Sequence, residues 1–318
     1  MSLNATTGLG ISSNWFRLAD ARILIADSLP KSRELTRKTL QGLGVGEVTL
    51  TESIPKTREH LAEGGFDLLI SDSHLRDKGA ASTISDVRQI RLGGDPFIPV
   101  VALTWEPNIE TVQDLVNAGI DQMLTLPVSK DHLIRTLEAI IEKRKPFVVT
   151  SDYIGPDRRK NPRLTLHQVP QIKVPNALRY KVTGDDDGIS REEVLQAVHN
   201  QRAERQAARI VYTVGKIDGL IGGKNEGTME TWLAEIRNVV AELNASISET
   251  CYQHHTMLCR SLLDVVDKIQ GAGSPASSEL EIMQQLALAI EIGFNRNDTS
   301  SVDAALDISE MVSCNNAA

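Results

Sequence analysis

Leu68-Leu69-Ile70-Ser71-Asp72 sets three large apolar residues and one small one ahead of a carboxylate, with no polar alternation along the run. A strand with one wet face alternates with period two, whereas an unbroken apolar run belongs to a strand buried on both faces, as in a parallel sheet covered by helices. Runs of the same kind recur at Ile23-Leu24-Ile25, Val48-Thr49-Leu50, Val100-Val101-Ala102-Leu103 and Met123-Leu124-Thr125. Amphipathic segments separate them. Leu35, Leu40 and Leu43 mark a helix with Pro30 near its start, and Ile109, Val112, Leu115 and Val116 mark another that stops at Gly119. Leu133, Ile134, Leu137, Ile140 and Ile141 mark a last helix ahead of Pro146. Strands alternating with crossover helices predict an α/β doubly wound, five-stranded parallel sheet over residues 22–145, after an N-terminal tail of residues 1–21.

In such sheets chemistry sits beyond the carboxyl ends of the strands. Asp27 follows the first strand, Asp72 and His74 follow the third, Thr104 ends the fourth, and Leu126-Pro127 follows the fifth. In that order and spacing these residues resemble the response-regulator receiver family of two-component signalling, which has a flavodoxin-like fold. The resemblance implies that Asp72 is the residue that accepts a phosphoryl group from a histidine kinase. It also implies a Mg2+ ion held by Asp27, Asp72 and the backbone carbonyl of His74, and a switch formed by Thr104 and the residue at position 123.

Three positions depart from the family pattern. Ala26 stands where the first of two adjacent acids is usual, so affinity for Mg2+ is expected to be weakened. Leu126 replaces the lysine that contacts the phosphoryl oxygens, and leucine offers neither donor nor charge. Met123 replaces an aromatic switch residue. Asp27 and Thr104 taken singly are also compatible with a plain helix cap or a strand-end hydrogen bond. Taken with Asp72, the set gives two readings: a degenerate pseudo-receiver that signals through binding alone, which the losses favour, or a working phosphorelay protein phosphorylated on Asp72.

The chain has 318 residues, 41% hydrophobic and 24% charged, which suits two soluble globular domains. A net charge of -8 argues against nucleic acid as a partner, because duplex binding draws on phosphate neutralisation by Lys and Arg. Neither a signal-like start nor a membrane-length apolar run is present, so a cytoplasmic, membrane-free protein is expected, and the receiver resemblance implies a bacterial one. Cys251, Cys259 and Cys314 have no zinc spacing and read as reduced thiols.

Residues 146–189 are rich in Pro and charge and read as a linker, ending in Asp185-Asp186-Asp187. Within it Tyr153-Ile154-Gly155-Pro156-Asp157-Arg158-Arg159 is similar to a segment that follows the receiver in many bacterial proteins of this kind. Arg159 and Arg163 have the spacing of the arginine pair with which PilZ domains grip cyclic-di-GMP, but the companion motif of that family is missing. A basic turn that packs Tyr153 back on the receiver is the better account.

From residue 190 to 318 helical periodicity takes over. Val194, Val198, Ile210, Val214, Ile217 and Ile221 define one arm. A long helix from Met229 to Ile269 carries Trp232, Ile236, Val239, Leu243, Ile247, Leu258, Leu262, Val265 and Ile269, which predicts an antiparallel helical bundle for interaction and homodimerisation. The polar run from His199 to Arg209 predicts a gap or partner-facing surface in the first arm. His254 and His255 invite comparison with phosphotransfer bundles, but the residues after them do not match and a buried histidine is the plainer reading. No catalytic output motif is present, so the expected role is a signalling protein, not an enzyme, with a histidine kinase or phosphotransfer protein as partner.

Overall fold

The computed structural model describes residues 18–75, 79–105, 107–159, 169–221, 227–247, 255–272 and 275–295. The five predicted strands are all present: β1 (Arg22–Ala26), β2 (Glu47–Thr51), β3 (Leu68–Asp72), β4 (Val100–Thr104) and β5 (Gln122–Thr125). They pair in parallel in the order β2-β1-β3-β4-β5. The order reverses between β1 and β3, the topological switch point where open α/β sheets bind ligands. β3 and β4 are buried at every position, which is why their sequences lack polar alternation.

Helices α1 (Pro30–Gln41), α2 (Ile54–Glu63), α3 (Ala80–Arg88), α4 (Ile109–Ala118) and α5 (Lys130–Lys143) connect and cover the strands. Leu40, Leu133, Leu137 and Ile140 pack with Ile23, Ile25, Ile70 and Leu103 on one face. Leu61, Ile84, Val87 and Leu115 pack with Leu24, Leu69, Val100 and Ala102 on the other. α4 is capped by the Asn108 side chain, which accepts from the Thr111 amide, and ends at Gly119 with φ of 91°.

Residues 146–189, expected to be a linker, contain folded structure. They form β6 (Phe147–Val149), β7 (Ile154–Pro156), β8 (Gln171–Ile172) and α6 (Ala177–Thr183). Leu178 and Val182 of α6 join the core beside Leu137 and Ile141. The Asn176 side chain caps α6 and donates to the Ile140 carbonyl at 2.7 Å, while Arg179 donates to the Ile141 carbonyl at 3.2 Å. These two carbonyls belong to the last turn of α5, where partners within the helix run out. The compact receiver unit therefore extends to Val194, well past the expected boundary at residue 145.

A buried charge cluster ties this extension down. Asp121 accepts from Arg88 at 3.0 Å and from Arg144 at 2.7 Å. Arg88, 1% exposed, also donates to the carbonyls of Gly119, Pro96 and Ile98. Both guanidiniums lie about 5 Å from the centroid of the Phe147 ring, at 5.2 and 5.1 Å. Arg158 donates to the carbonyls of Ile120 and Asp121. Gly119 and Gly155 meet so closely that a methyl on Gly155 would lie 2.9 Å from the Gly119 Cα. The Tyr153 hydroxyl donates to the Pro156 carbonyl at 2.8 Å, within its own segment.

The second unit contains four helices among the described residues: α7 (Arg191–Ile221), α8 (Met229–Ile247), α9 (Thr256–Ala272) and α10 (Ser277–Asn295). The single helix expected from Met229 to Ile269 is two, α8 and α9. One core unites the helices through Ile210, Val214, Ile236, Val240, Leu262, Val266, Leu286 and Ile290. The gap expected along His199–Arg209 is absent, because Ala203 and Ala207 continue the apolar stripe. Gln206 between them is fully buried, with Ser246 and Glu242 as hydrogen-bond partners.

Leu178→Ala should destabilise the receiver unit by about 2–5 kcal/mol in denaturant unfolding, the usual range for a large-to-small change in a core. An exposed linker would give no measurable change. Asp121→Ala should lower stability by about 3–5 kcal/mol by stranding two buried guanidiniums, a loss that chemical unfolding monitored by circular dichroism resolves.

Candidate functional site

The carboxyl ends of β1, β3 and β4 bring Asp27, Asp72 and Thr104 together. The register sets Ala26 beside Ser71 and Asp72 beside Leu103, so Asp27, which follows β1, and Thr104, which ends β4, lie on the two sides of Asp72. All three are buried, Asp27 and Thr104 completely. Asp72 accepts from the His74 amide at 3.1 Å through Oδ1. Asp27 accepts from the Leu29 amide at 2.8 Å, also through Oδ1.

Two oxygens in this pocket have no partner. Asp27 Oδ2 and Thr104 Oγ1 are buried without a hydrogen bond. An orphaned buried acceptor carries a desolvation cost of about 1–3 kcal/mol, more when it is charged, so such atoms are uncommon in a finished core. Burial pushes the Asp72 carboxyl above the ordinary carboxylate range and the Asp27 charge pushes it the same way, while the amide and ring of His74 oppose both. Two adjacent carboxylates, one with a free buried oxygen, fit a hard divalent cation. Asp27, Asp72 and the His74 carbonyl would hold Mg2+ here, and the ion would offset the charge of a phosphoryl group arriving at Asp72. Among the described residues no cluster of three or more His, Cys, Asp or Glu side chains occurs, so the third protein ligand would be that carbonyl.

Leu126 directly follows β5. It is 8% exposed, it belongs to the core beside Leu124 and Leu133, and its amide donates to the Thr104 carbonyl at 2.7 Å. Met123 packs against the opposite core, with Leu115 and Ala118. Ala26 is fully buried. Leu126 and Pro127 also line an almost wholly apolar groove of about 570 Å³, together with Leu29, Pro30, Lys31, Ser32, Leu35 and Trp105. Leu29, Leu35 and Trp105 are each about half exposed there, at 48%, 50% and 48%.

Sequence reasoning missed this groove, whose lining comes from three separate strand ends, and it missed Arg33. The Arg33 guanidinium donates to the Asp27 carbonyl at 2.5 Å and stands 3.6 Å from Glu52 Oε2, which pins the loop that presents Asp27. Its only sequence signal is a basic residue in the second turn of α1.

The remaining candidates are elsewhere and are engaged or undescribed. Arg159 is committed to Asp157 by two hydrogen bonds, at 2.9 and 2.8 Å, and holds that carboxyl far below its usual range, so its fork is not free for a phosphate. Arg163 and His254 lie outside the described residues. His255 is fully buried with its ring 4.7 Å from that of Phe294, and Gly293 leaves no room for a side chain beneath it. A phosphotransfer histidine needs solvent access, which His255 lacks. Cys259 is likewise buried, and burial pushes its thiol up to about 12.

Residues 23–138 match the family model of the response regulator receiver domain. Transcriptional regulatory protein ZraR of Escherichia coli O157:H7 is 26% identical over 194 residues, which is 58% of this chain and 42% of that protein. Sensor histidine kinase RcsC of Salmonella typhi is 27% identical over 124 residues, 39% of this chain and 13% of that one. The chain thus spans well under half the length of these curated relatives. Among solved structures, chemotaxis protein CheY4 of Vibrio cholerae is 26% identical, covering 37% of this chain and 96% of that one, with a TM-score of 0.34. Residues 23–138 of this chain are a response regulator receiver domain of the two-component signalling family.

Proposed function

We propose that this is a two-component-type signal-transduction protein in which a degenerate receiver, still able to take a phosphoryl group on Asp72, is coupled to a helical protein-interaction domain. Degeneracy here means the loss of one acid at Ala26 and of the lysine at Leu126. The observation that favours a live phosphoacceptor over a relic is the pair of unpaired buried oxygens, Asp27 Oδ2 and Thr104 Oγ1, on either side of Asp72. A relic under no demand to bind would be free to lose or satisfy such atoms, since each lowers stability.

The chain's own residues would act as follows. Asp72 attacks the phosphorus of a phosphohistidine or other phosphoramidate donor, the P–N bond breaks as the O–P bond forms, and the leaving nitrogen takes up a proton. Thr104 Oγ1 donates to a phosphoryl oxygen, and the His74 amide, already at Asp72 Oδ1, orients the nucleophile. Met123 has no hydroxyl or ring to swing, so the readout runs through the strand ends and the groove. The helical unit binds a partner protein or a second copy of the chain, and it does no chemistry of its own. The partners fitting this reading are a histidine kinase or phosphotransfer protein. ZraR is named a transcriptional regulator, but the net charge of -8 speaks against duplex binding by this chain.

Titration with beryllofluoride in excess Mg2+ should give a saturable change in tryptophan fluorescence, abolished in Asp72→Asn and in Trp105→Phe. A wild-type chain that shows no change at high Mg2+ would make Asp72 a relic. The raised carboxyl also has a consequence for stability. Because the folded state holds the Asp72 proton more tightly than the unfolded state, the ionised carboxylate destabilises the fold above its folded pKa, and that penalty disappears as pH falls through it. Asp72→Asn should therefore raise Tm at neutral pH in EDTA, with the gain shrinking toward acid pH. An Asn variant less stable than wild type at neutral pH contradicts this.

A further inference from the structure

We propose that the cavity of about 370 Å³ between the end of α5 and the stretch from Lys173 to Ile189 binds a small organic phosphate monoester, with Lys145, Lys173 and Arg179 contacting the phosphate and Val174 and Ile189 the body of the ligand. Every residue of its wall belongs to the receiver unit, and Asp72 is not among them.

Four observations carry the assignment. The space is large enough to take a small molecule and not merely an ion, since ligand pockets run from about 300 to 1,000 Å³. Its wall is mixed, with Val174 and Ile189 apolar and Lys145 and Lys173 charged. Both lysines are exposed, and neither makes an ion pair or a side-chain hydrogen bond among the described residues. Arg179 is fixed at the wall by the Ile141 carbonyl at 3.2 Å, with Asp185 at 2.7 Å and Asp187 at 3.0 Å on its other two nitrogens. Its Nε is buried, and Asp187 stands near enough for an ion pair but out of line for a hydrogen bond. A buried donor whose bond is unmade favours a better placed acceptor.

The balance of charge favours an anion. Arg144, Lys145, Lys173 and Arg179 line the cavity against the carboxylates of Glu142 and Asp187. Arg144 shares Asp121 with Arg88, so one carboxylate answers two guanidiniums and the excess positive charge reaches the cavity through Arg144. Asp185 and Asp187 occupy Arg179 as an external anion would, and they are its internal competitors. Their side chains are 51% and 37% exposed, so they return to water at little cost when a ligand takes the guanidinium. A phosphate monoester suits the site because its three free oxygens can meet an arginine fork and two flexible ammoniums at once.

The test is isothermal titration of the full chain with phenyl phosphate in EDTA, with inorganic phosphate and phenol as the two halves of the ligand. Phenyl phosphate should bind more tightly than either half, and Asp72→Asn should bind it as the wild type does, which separates this cavity from the phosphoacceptor. Removing both exposed lysines, Lys145→Ala with Lys173→Ala, should weaken binding about tenfold, whereas the same change of charge in Lys31→Ala with Lys38→Ala should leave it unaltered. Asp185→Asn and Asp187→Asn should each strengthen binding by releasing Arg179. Asp186→Asn makes the same change of charge, but its carboxylate bonds the Gly188 amide and not Arg179, so it should have no such effect. A wild-type chain that binds no phenyl phosphate, a Lys145→Ala, Lys173→Ala chain that binds it unchanged, or equal affinity for phenyl phosphate and inorganic phosphate overturns the assignment.

Discussion

Asp27 and Asp72 are buried side by side at the point where the sheet reverses its strand order, and among the described residues no lysine or arginine side chain pairs with either carboxylate. Two carboxylates so placed repel each other and lose solvation together, which raises the Asp72 carboxyl. The fold keeps them there because β1 and β3 are central strands whose apolar runs leave no other register. Such a pair is stable only at the expense of the surrounding core, and a ligand that brings positive charge relieves it. The reading of Thr104 follows from that constraint, since its hydroxyl oxygen is buried at the end of β4 without a hydrogen-bond partner.

The opposite end of the sheet is arranged to the contrary effect. There Asp121 is surrounded by Arg88 and Arg144, each also bonded to backbone carbonyls, and Phe147 lies against both guanidiniums. Every strong charge has a partner, as a buried ion pair needs if it is not to destabilise its surroundings. Phe147 and Arg158 pack at that end, and Leu178 and Val182 of α6 join the core. At one end of the receiver the buried carboxylate is paired with two guanidiniums, while at the other the buried carboxylates have no cationic partner among the described residues. Stability and phosphoryl chemistry are separated along the strand axis, a division that suits a signalling module.

Much of this was legible in the sequence, and the exceptions have identifiable physical causes. The five strands could be read because burial on both faces leaves unbroken apolar runs, and Asp72 and Thr104 could be placed because each ends such a run. The break between α8 and α9 was hidden because Ile247 and Leu258 are eleven residues apart, about three helical turns, so the apolar stripe stays in phase across it. The extension after residue 145 was hidden because much of its order comes from partners distant in sequence: Arg158 with the carbonyls of Ile120 and Asp121, Asn176 with the Ile140 carbonyl, and a helix of seven residues that buries two apolar side chains against α5. Composition alone makes such a segment look like a linker. Arg159 illustrates the reverse case, in which spacing suggested an anion site and the side chain proved to be occupied by the carboxylate two residues before it.

A receiver that retains its nucleophile while its usual lysine position is apolar should still form an acyl phosphate, more slowly and with greater demand for Mg2+. Intact-mass spectrometry after incubation with a small phosphoramidate and Mg2+ measures this. The account predicts the gain of one phosphoryl mass on the wild-type chain, its localisation to Asp72, and its absence from Asp72→Asn. An unmodified wild-type chain under saturating donor and Mg2+, or a modified Asp72→Asn chain, would contradict it.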